Sequence, residues 1–249
     1  MRRLLFLIAV LQCISCSGGV RDYKISVVAS YPHDNKAYTQ GLFFYNDVLY
    51  ESTGGYGESS FRKVELSTGR VLEQIDFSRK YFIEGSCMLD GKLYLLTWTN
   101  NMAFVYDAET LKYERTWSYP REGWGLTTDG TLLYASDGSN KIYVLSKDFK
   151  LQRTIFVKLE GRNLRYINEL EWVDGKIWAN VYTTEMIVVI NPESGEVESR
   201  IDCTGLLPKN LRTPTTDVLN GIAVNSKAEI FLTGKNWPKL YQVKLTKSH

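Results

Sequence analysis

A pattern of eleven residues recurs five times along the chain without gaps, and this repetition limits the fold more than any other feature. Each copy reads as a strand, a tight Asn, Asp or Gly turn and a second strand. Asp-Gly pairs at 90–91, 129–130 and 174–175 are strong hairpin signals. The copies start 44, 40, 44 and 52 residues apart, at Gln40, Glu84, Trp124, Asn168 and Asn220. The sequence therefore predicts an all-β chain of five similar units.

A second pair of strands follows the hairpin in each copy. In the first copy, residues 61–66 lead through a Ser-Thr-Gly turn into residues 71–75. Four strands in about 40 to 50 residues are the signature of a propeller blade. The fifth copy ends after its third strand, and residues 24–28, ahead of the first copy, can supply the fourth. We predict a five-bladed β-propeller over 22–249, with its last blade closed by an N-terminal strand; an unclosed β-sandwich is the alternative.

The first sixteen residues have the layout of an export signal. Two arginines precede eight apolar residues at 4–11, far fewer than the roughly 20 that span a bilayer. Residues 12–19 resemble a bacterial lipoprotein cleavage site, with Cys16 as the lipidated first residue and Cys13 where Leu is usual. We predict a signal peptide at 1–16 and one domain at 17–249, in the periplasm or anchored to a membrane by the lipid. Plain secretion is the alternative.

Charge and histidine content exclude two classes of protein. Lys and Arg number 30 against 28 Asp and Glu, and loss of the two signal arginines leaves 28 against 28. Nucleic-acid-binding proteins usually carry a basic surplus, so no nucleic-acid partner is expected. His33 and His249 are the only histidines, which argues against a His-rich zinc hydrolase or a zinc finger. Cys87 and Cys203 could pair, but we favour two small buried apolar residues.

Equivalent positions of a propeller lie at one level around the central channel, so the alignment predicts two rings of residues. The first ring holds the opening residues, an unusual mixture of two amide types, one acid and one indole. The alternative is that these side chains only satisfy the backbone groups at exposed strand ends. Glycine follows the opening residue in every copy except the fourth, which has Glu169, and this indicates close backbone packing. Fourteen residues after the first ring lies the second: Gly54, Trp98, Gly138, Tyr182 and Gly234. We expect its two aromatics to wall one side of the mouth and its glycines to leave the other open.

One carboxyl group, that of Glu84, stands among the amides and indoles of the first ring. The sequence has no phosphate-binding loop and no conventional metal-ligand cluster, and nothing marks a nucleophilic serine for His33. A carboxyl in aromatic surroundings can have its pKa raised towards neutrality and then carry a proton. Glu84 is therefore the candidate acid/base.

Seven ordered motifs carry a resemblance to a known family. They are Tyr38-Thr39-Gln40-Gly41-Leu42, Phe82-Ile83-Glu84-Gly85, Leu96-Thr97-Trp98, Gly123-Trp124-Gly125-Leu126, Ile167-Asn168-Glu169-Leu170-Glu171-Trp172, Trp178-Ala179-Asn180 and Thr233-Gly234-Lys235-Asn236-Trp237-Pro238. The chain resembles the plant and bacterial glutaminyl cyclases (glutamine cyclotransferases) over residues 27–245. That family has a five-bladed propeller, is unrelated to the zinc-dependent animal cyclases, and converts N-terminal glutamine of peptides to pyroglutamate with loss of ammonia.

The resemblance implies roles for nine residues. Glu84 would be the general acid/base, and Lys235 would stabilise the oxyanion. The implied substrate-binding residues are Gln40, Trp98, Trp124, Asn168, Tyr182, Phe82 and Tyr38. It implies no required cofactor and leaves open a structural calcium or zinc at an unassigned site. Peptides or proteins with N-terminal Gln would be the partners of a monomer, with membrane contact only through the lipid anchor. The alternatives are a non-catalytic propeller that binds a ligand or partner and a lactonase-like metalloenzyme.

Overall fold

The computed structural model describes residues 19–248, so the predicted signal peptide and the Cys16 lipidation site lie outside the described residues. The described chain is built from β-strands, with one short 3-10 turn at Lys209–Leu211. In chain order the strands are β1 (Arg21–Pro32), β2 (Thr39–Tyr45), β3 (Val48–Thr53), β4 (Ser60–Glu65), β5 (Arg70–Asp76), β6 (Ile83–Leu89), β7 (Lys92–Thr97), β8 (Met102–Asp107), β9 (Tyr113–Ser118), β10 (Leu126–Thr128), β11 (Leu133–Ser136), β12 (Lys141–Leu145), β13 (Leu151–Phe156), β14 (Lys158–Leu159), β15 (Arg162–Asn163), β16 (Ile167–Val173), β17 (Lys176–Val181), β18 (Met186–Ile190), β19 (Val197–Asp202), β20 (Leu219–Val224), β21 (Ile230–Gly234) and β22 (Lys239–Lys247). Among residues 19–248, no helix is both long and apolar enough to cross a bilayer.

The five sequence repeats correspond to five antiparallel groups of strands. The first three form separate four-stranded sheets in chain order, β2 to β5, β6 to β9 and β10 to β13. The fourth, β16 to β19, and the fifth, β20 to β22, are joined through β1 into one eight-stranded sheet. The prediction of an all-β fold is therefore confirmed.

Strand β1 supplies the missing fourth strand of the last repeat. It runs antiparallel to β22, with Ile25 opposite Leu245, which is the predicted pairing. It extends beyond the predicted residues 24–28 and also pairs in parallel with β19, where Tyr23 lies opposite Ile201. Because both edges of β1 are paired, neither the fourth nor the fifth repeat leaves its outer strand exposed there.

The hydrophobic core consists of five clusters, and each one packs between two successive repeats. The cluster around Phe61 and Leu93 joins the first and second repeats, and the one around Leu42 and Phe231 joins the first and fifth. Cys87 lies between the second and third repeats, whereas Cys203 lies between the fourth and fifth. The two thiols are buried and unpaired in this structure.

The first strands of the repeats contact one another in a closed circuit, from β2 through β6, β10, β16 and β20 back to β2. Glycine is required where they meet. A Cβ atom on Gly85 would lie 2.4 Å from the backbone nitrogen of Leu126, and one on Gly125 would lie 2.1 Å from the carbonyl oxygen of Asn168. Close packing therefore explains the glycine that follows the opening residue in these repeats.

Glu169, which stands where the other repeats have glycine, binds the free edges of neighbouring first strands. Its carboxylate oxygens accept hydrogen bonds from the backbone nitrogens of Leu42, at 3.3 Å, and Ile222, at 3.0 Å. Glu171 accepts one from the nitrogen of Val224 at 3.1 Å. Buried backbone donors need such partners, so the two side chains satisfy edge amides that no strand pairs.

Burial makes Glu171 sensitive to pH. Desolvation raises its pKa from 4.5 to about 8, against the effect of its bonds from Val224 and Trp172. A raised folded-state pKa stabilises the fold fully below the ordinary value, and this stabilisation is lost as pH rises towards about 8. Glu171→Gln keeps an acceptor without the charge. We expect the unfolding free energy of the wild type to fall between pH 5 and 9, and that of the variant to fall less, by on the order of a few kcal/mol.

Urea unfolding at several pH values measures this difference. The exposed Glu109, in the turn after β8, gives the control variant Glu109→Gln, which should follow the wild type. If the unfolding free energy falls with pH equally in the wild type and in Glu171→Gln, Glu171 stays ionised in the fold.

Candidate active site

A cavity of about 230 Å³ brings together all nine residues singled out in the sequence: Tyr38, Gln40, Phe82, Glu84, Trp98, Trp124, Asn168, Tyr182 and Lys235. The four polar residues are buried, and the five aromatic residues are half-buried. The cavity is smaller than most pockets for drug-sized ligands, so it suits a single amino-acid residue.

The repeat architecture explains why these residues meet. Gln40, Glu84 and Asn168 lie at the starts of β2, β6 and β16, which are the first strands of their repeats. The residues that directly follow the second strands β7, β17 and β21 are Trp98, Tyr182 and Lys235. The second strand of a hairpin ends where the first begins, so both sets arrive at the same end of the sheets.

Glu84 is oriented by a chain of amides. Gln40 donates from Nε2 to Oε1 of Glu84 at 3.2 Å. Asn220 donates from Nδ2 to the carbonyl oxygen of Thr39 at 2.9 Å and towards Oε1 of Gln40 at 3.4 Å. The Asn220 bond sets which end of the Gln40 amide faces Glu84. Asn220 therefore opens its repeat as predicted but acts behind the cavity lining.

The surroundings of Glu84 favour its protonated form. Burial raises its pKa well above the ordinary value of 4.5. The positive charge of Lys235 lowers the pKa, and the negative charge of Glu122 raises it. Burial has the largest effect of the three, so the carboxyl binds a proton more tightly than an exposed glutamate does.

Lys235 is held by aromatic rings. Its Nζ lies 4.7 Å from the ring centroid of Tyr38 and 5.1 Å from that of Tyr182. Burial lowers its pKa below 10.5, while Glu84 and Asp217 act in the opposite direction. The rings stabilise a cation without occupying its N–H donors in hydrogen bonds, so the donors stay available to a ligand.

Asn168 also presents an available polar atom. Its backbone oxygen accepts a hydrogen bond from Oγ of Ser136 at 2.7 Å, which fixes the start of β16. Its side-chain Oδ1 is buried and has no hydrogen-bond partner within residues 19–248. An acceptor in this state lowers the free energy of binding for any ligand that donates to it.

The glycines of the second ring do not leave one side of the mouth open, so that expectation was wrong. Each glycine lies directly beneath an aromatic ring. A Cβ atom on Gly54 would come within 2.2 Å of Phe82, one on Gly138 within 2.5 Å of Trp124, and one on Gly234 within 2.3 Å of Trp237. The glycines therefore let rings from neighbouring positions lie flat against the backbone, and two of those rings line the cavity.

Comparison with known proteins places the chain in a family. A sequence model described as Glutamine cyclotransferase matches residues 4–245. The chain belongs to the glutamine cyclotransferase family. An Arabidopsis thaliana protein named Glutaminyl-peptide cyclotransferase is 43% identical over 235 residues, which cover 90% of this chain and 72% of that protein. The crystal structure of Myxococcus xanthus glutaminyl cyclase superposes with a TM-score of 0.86 at 34% identity, covering 92% of this chain and all of that one.

Two acidic residues beside the cavity of this cyclotransferase were missed in the sequence. Asp217, in the connection from β19 to β20, accepts a hydrogen bond from Oη of Tyr38 at 2.8 Å. Glu122, in the connection from β9 to β10, accepts hydrogen bonds from the indole nitrogens of Trp98 and Trp124. Both lie in connections outside the repeated pattern, so no alignment of the copies could indicate them.

Another set of polar residues in the cyclotransferase was also missed, although alignment of the repeats could have found it. Twelve positions after the opening residue, three copies have a polar residue in a buried strand: Ser52, Ser136 and Asn180. Ser52 donates to the backbone oxygen of Glu84 at 2.7 Å, and Asn180 accepts from the nitrogen of Gly221 at 3.0 Å. These side chains fix the starts of neighbouring first strands, on which the cavity depends.

His33 is committed to a structural ion pair in this cyclotransferase. Its Nε2 lies 2.9 Å from Oε1 of Glu51, and its Nδ1 lies 2.6 Å from the carbonyl oxygen of Trp237. Burial lowers the pKa of His33, but the charge and hydrogen bond of Glu51, the hydrogen bond with Trp237 and the charge of Asp34 together outweigh burial, so the net pKa is raised. With both ring nitrogens occupied, His33 does not serve as the base of a nucleophilic serine. In the described part of the chain, no three His, Cys, Asp or Glu side chains form a group that could hold a metal ion.

Proposed function

We propose that this chain is a glutaminyl-peptide cyclotransferase, an enzyme of the aminoacyltransferase class, with Glu84 as its general acid/base. The activity follows from membership of the glutamine cyclotransferase family and from the named relatives at 43% and 34% identity. The assignment to Glu84 rests on one observation: its buried carboxyl shares a residue-sized cavity with Lys235 and with the unpartnered oxygen of Asn168.

The reaction closes a ring within the first residue of the peptide. The α-nitrogen attacks the side-chain carboxamide carbon, the new C–N bond forms, and the bond from that carbon to the amide nitrogen breaks. One proton leaves the α-nitrogen and one reaches the departing nitrogen, which is released as ammonia. Since both reacting groups belong to one residue, the enzyme has mainly to orient them and move protons.

Glu84 is placed to move both protons. As an anion it takes a proton from the α-nitrogen while that nitrogen attacks, and as an acid it gives the proton to the leaving nitrogen. A carboxyl with a raised pKa suits both halves of the cycle, because its proton affinity is closer to that of the groups it exchanges with. The Nε2 donor of Gln40 holds the carboxyl in place throughout.

The other residues of the cavity bind and orient the substrate. In our proposal Lys235 donates to the substrate carbonyl oxygen, where negative charge develops, and Asn168 accepts from the α-amine. Gln40 contacts the substrate amide. The aromatic residues enclose the aliphatic part of the side chain and exclude water: Tyr38, Phe82, Trp98, Trp124 and Tyr182.

We also propose that the five groups of strands are the blades of one propeller, whose axis passes through the circuit of first strands. The five core clusters, each between successive repeats, support this arrangement. In this proposal residues 17–249 form the single catalytic domain of a monomer. Residues 1–16 hold the export signal, and cleavage before Cys16 leaves that residue to carry a lipid in the periplasm. The mass of the exported protein's first peptide distinguishes lipidation from plain secretion.

Ammonia release from a Gln-initiated peptide tests the proposed activity. We expect the purified protein to release one ammonia per peptide and to lower the peptide mass by the mass of one ammonia. An N-acetylated copy of the peptide lacks the nucleophilic amine and should not react. A folded protein that releases no ammonia from any Gln-initiated peptide would instead favour a propeller that binds a ligand without catalysis.

A further inference from the structure

Glu122 is exposed and bonds to both tryptophans of the cavity wall. The indole nitrogen of Trp98 donates to Oε2 of Glu122 at 3.0 Å, and that of Trp124 donates to the same oxygen at 3.1 Å. Trp98 follows the second repeat's β7, whereas Trp124 precedes the third repeat's β10. One carboxylate oxygen thus fixes two rings from different repeats relative to each other.

The backbone around Glu122 is held closely enough to set this geometry. The nitrogen of Gly123 donates to the carbonyl oxygens of Thr97 and Trp98, both at 3.1 Å. A Cβ atom on Gly123 would lie 2.6 Å from Cβ of Leu96 and 2.7 Å from the oxygen of Thr97, so only glycine allows the segment so near β7. Gly123 therefore brings Glu122 beside Trp98.

We propose that Glu122 is a positioning residue for the cyclisation: it anchors both indoles of the cavity wall, and its negative charge acts on Glu84. This inference rests on the proposed function. A charged acceptor shared by two indoles restricts both rings more than separate partners would. The two indole rings then keep one fixed arrangement around the substrate.

The charge of Glu122 acts on Glu84 against that of Lys235. Gln40 bonds to the carboxyl of Glu84, and the charged or titratable groups that act on it are Lys235, Glu122, Tyr38 and Tyr182, with Asp217 acting on Tyr38 and Lys235. Burial raises the pKa of Glu84, Lys235 lowers it, and Glu122 raises it. Loss of the Glu122 charge should therefore lower the pKa of Glu84.

Two substitutions separate the anchor from the charge. Glu122→Gln keeps a side-chain oxygen that can accept from an indole but removes the charge. We expect it to shift the acidic limb of the kcat profile to lower pH, with KM nearly unchanged. Glu122→Ala removes both, so it should show the same shift and also lose about ten- to a hundredfold in kcat/KM. Glu109→Gln, at an exposed residue in the turn after β8, is the control.

The indole N–H resonances report the anchor independently of activity. The chain has 6 tryptophans, and Trp98→Phe and Trp124→Phe assign the two relevant signals. Both signals should move in Glu122→Ala and move much less in Glu122→Gln. An active wild type with unshifted pH profiles and unmoved indole signals in both variants would overturn the inference. An inactive wild type would contradict the proposed function instead, while the indole signals would still decide the anchor.

Discussion

Replacing Glu84 by Gln is expected to lower kcat by about two to four orders of magnitude, with substrate affinity and fold retained. The amide has the size of the carboxyl and can still accept the hydrogen bond from Nε2 of Gln40. It cannot take a proton from the α-nitrogen or deliver one to the leaving nitrogen. The Gln variant also avoids the cost of ionising a buried carboxyl, so its melting temperature should equal or exceed that of the wild type.

Glu171→Gln is the matched control for this measurement. Glu171 is also a buried glutamate with a raised pKa, but it lies outside the cavity lining. Ammonia release by Glu171→Gln should stay near the wild-type rate. Full turnover by Glu84→Gln would remove Glu84 from the reaction, whereas an equal loss in both variants would point to a general effect of changing buried carboxyls.

The parts of this molecule that repeat were predictable from its sequence. Antiparallel hairpins at equivalent positions end at the same edge, so the residues that open the repeats, Gln40, Glu84, Trp124 and Asn168, had to meet. The fifth repeat has three strands where the others have four, and this difference predicted the pairing of β1 with β22. The position of a residue along its hairpin is a local property, so eleven aligned residues are enough to show which positions are equivalent.

The parts that depend on contact between repeats were not predictable. A glycine in the second ring suggests open space, but Gly54 of the first repeat lies beneath the ring of Phe82, which leads into the second repeat. Glu122 and Asp217 reach the cavity from connections whose course no periodic pattern defines. Their contribution arises from distances between segments far apart in the alignment, and only the folded chain contains those distances.

Replacing Lys235 by Met is expected to lower kcat by about a hundred- to a thousandfold. The ammonium group is buried, and its Nζ lies within 5.1 Å of the ring centroids of Tyr38 and Tyr182. In the proposed mechanism it donates to the oxygen that gains charge when the α-nitrogen attacks. Methionine fills similar volume between the rings but stabilises no negative charge, so the loss should fall on kcat more than on KM.

The control for this substitution is Lys227→Met, at an exposed lysine in the turn between β20 and β21. It changes the net charge by the same amount and should leave kcat and its pH profile unchanged. Wild-type kcat in Lys235→Met would show that the oxyanion is stabilised by another group.

The pH dependence of Lys235→Met adds a second, independent requirement. The Lys235 charge lowers the pKa of Glu84, so its removal should move the acidic limb of kcat to higher pH. Glu122→Gln should move the same limb in the opposite direction, because the charge of Glu122 raises that pKa. In the double variant the two shifts should partly cancel, with the larger Lys235 effect remaining, while the loss of oxyanion stabilisation persists. A limb that responds to neither substitution would belong to a group other than Glu84, even if both variants were slow.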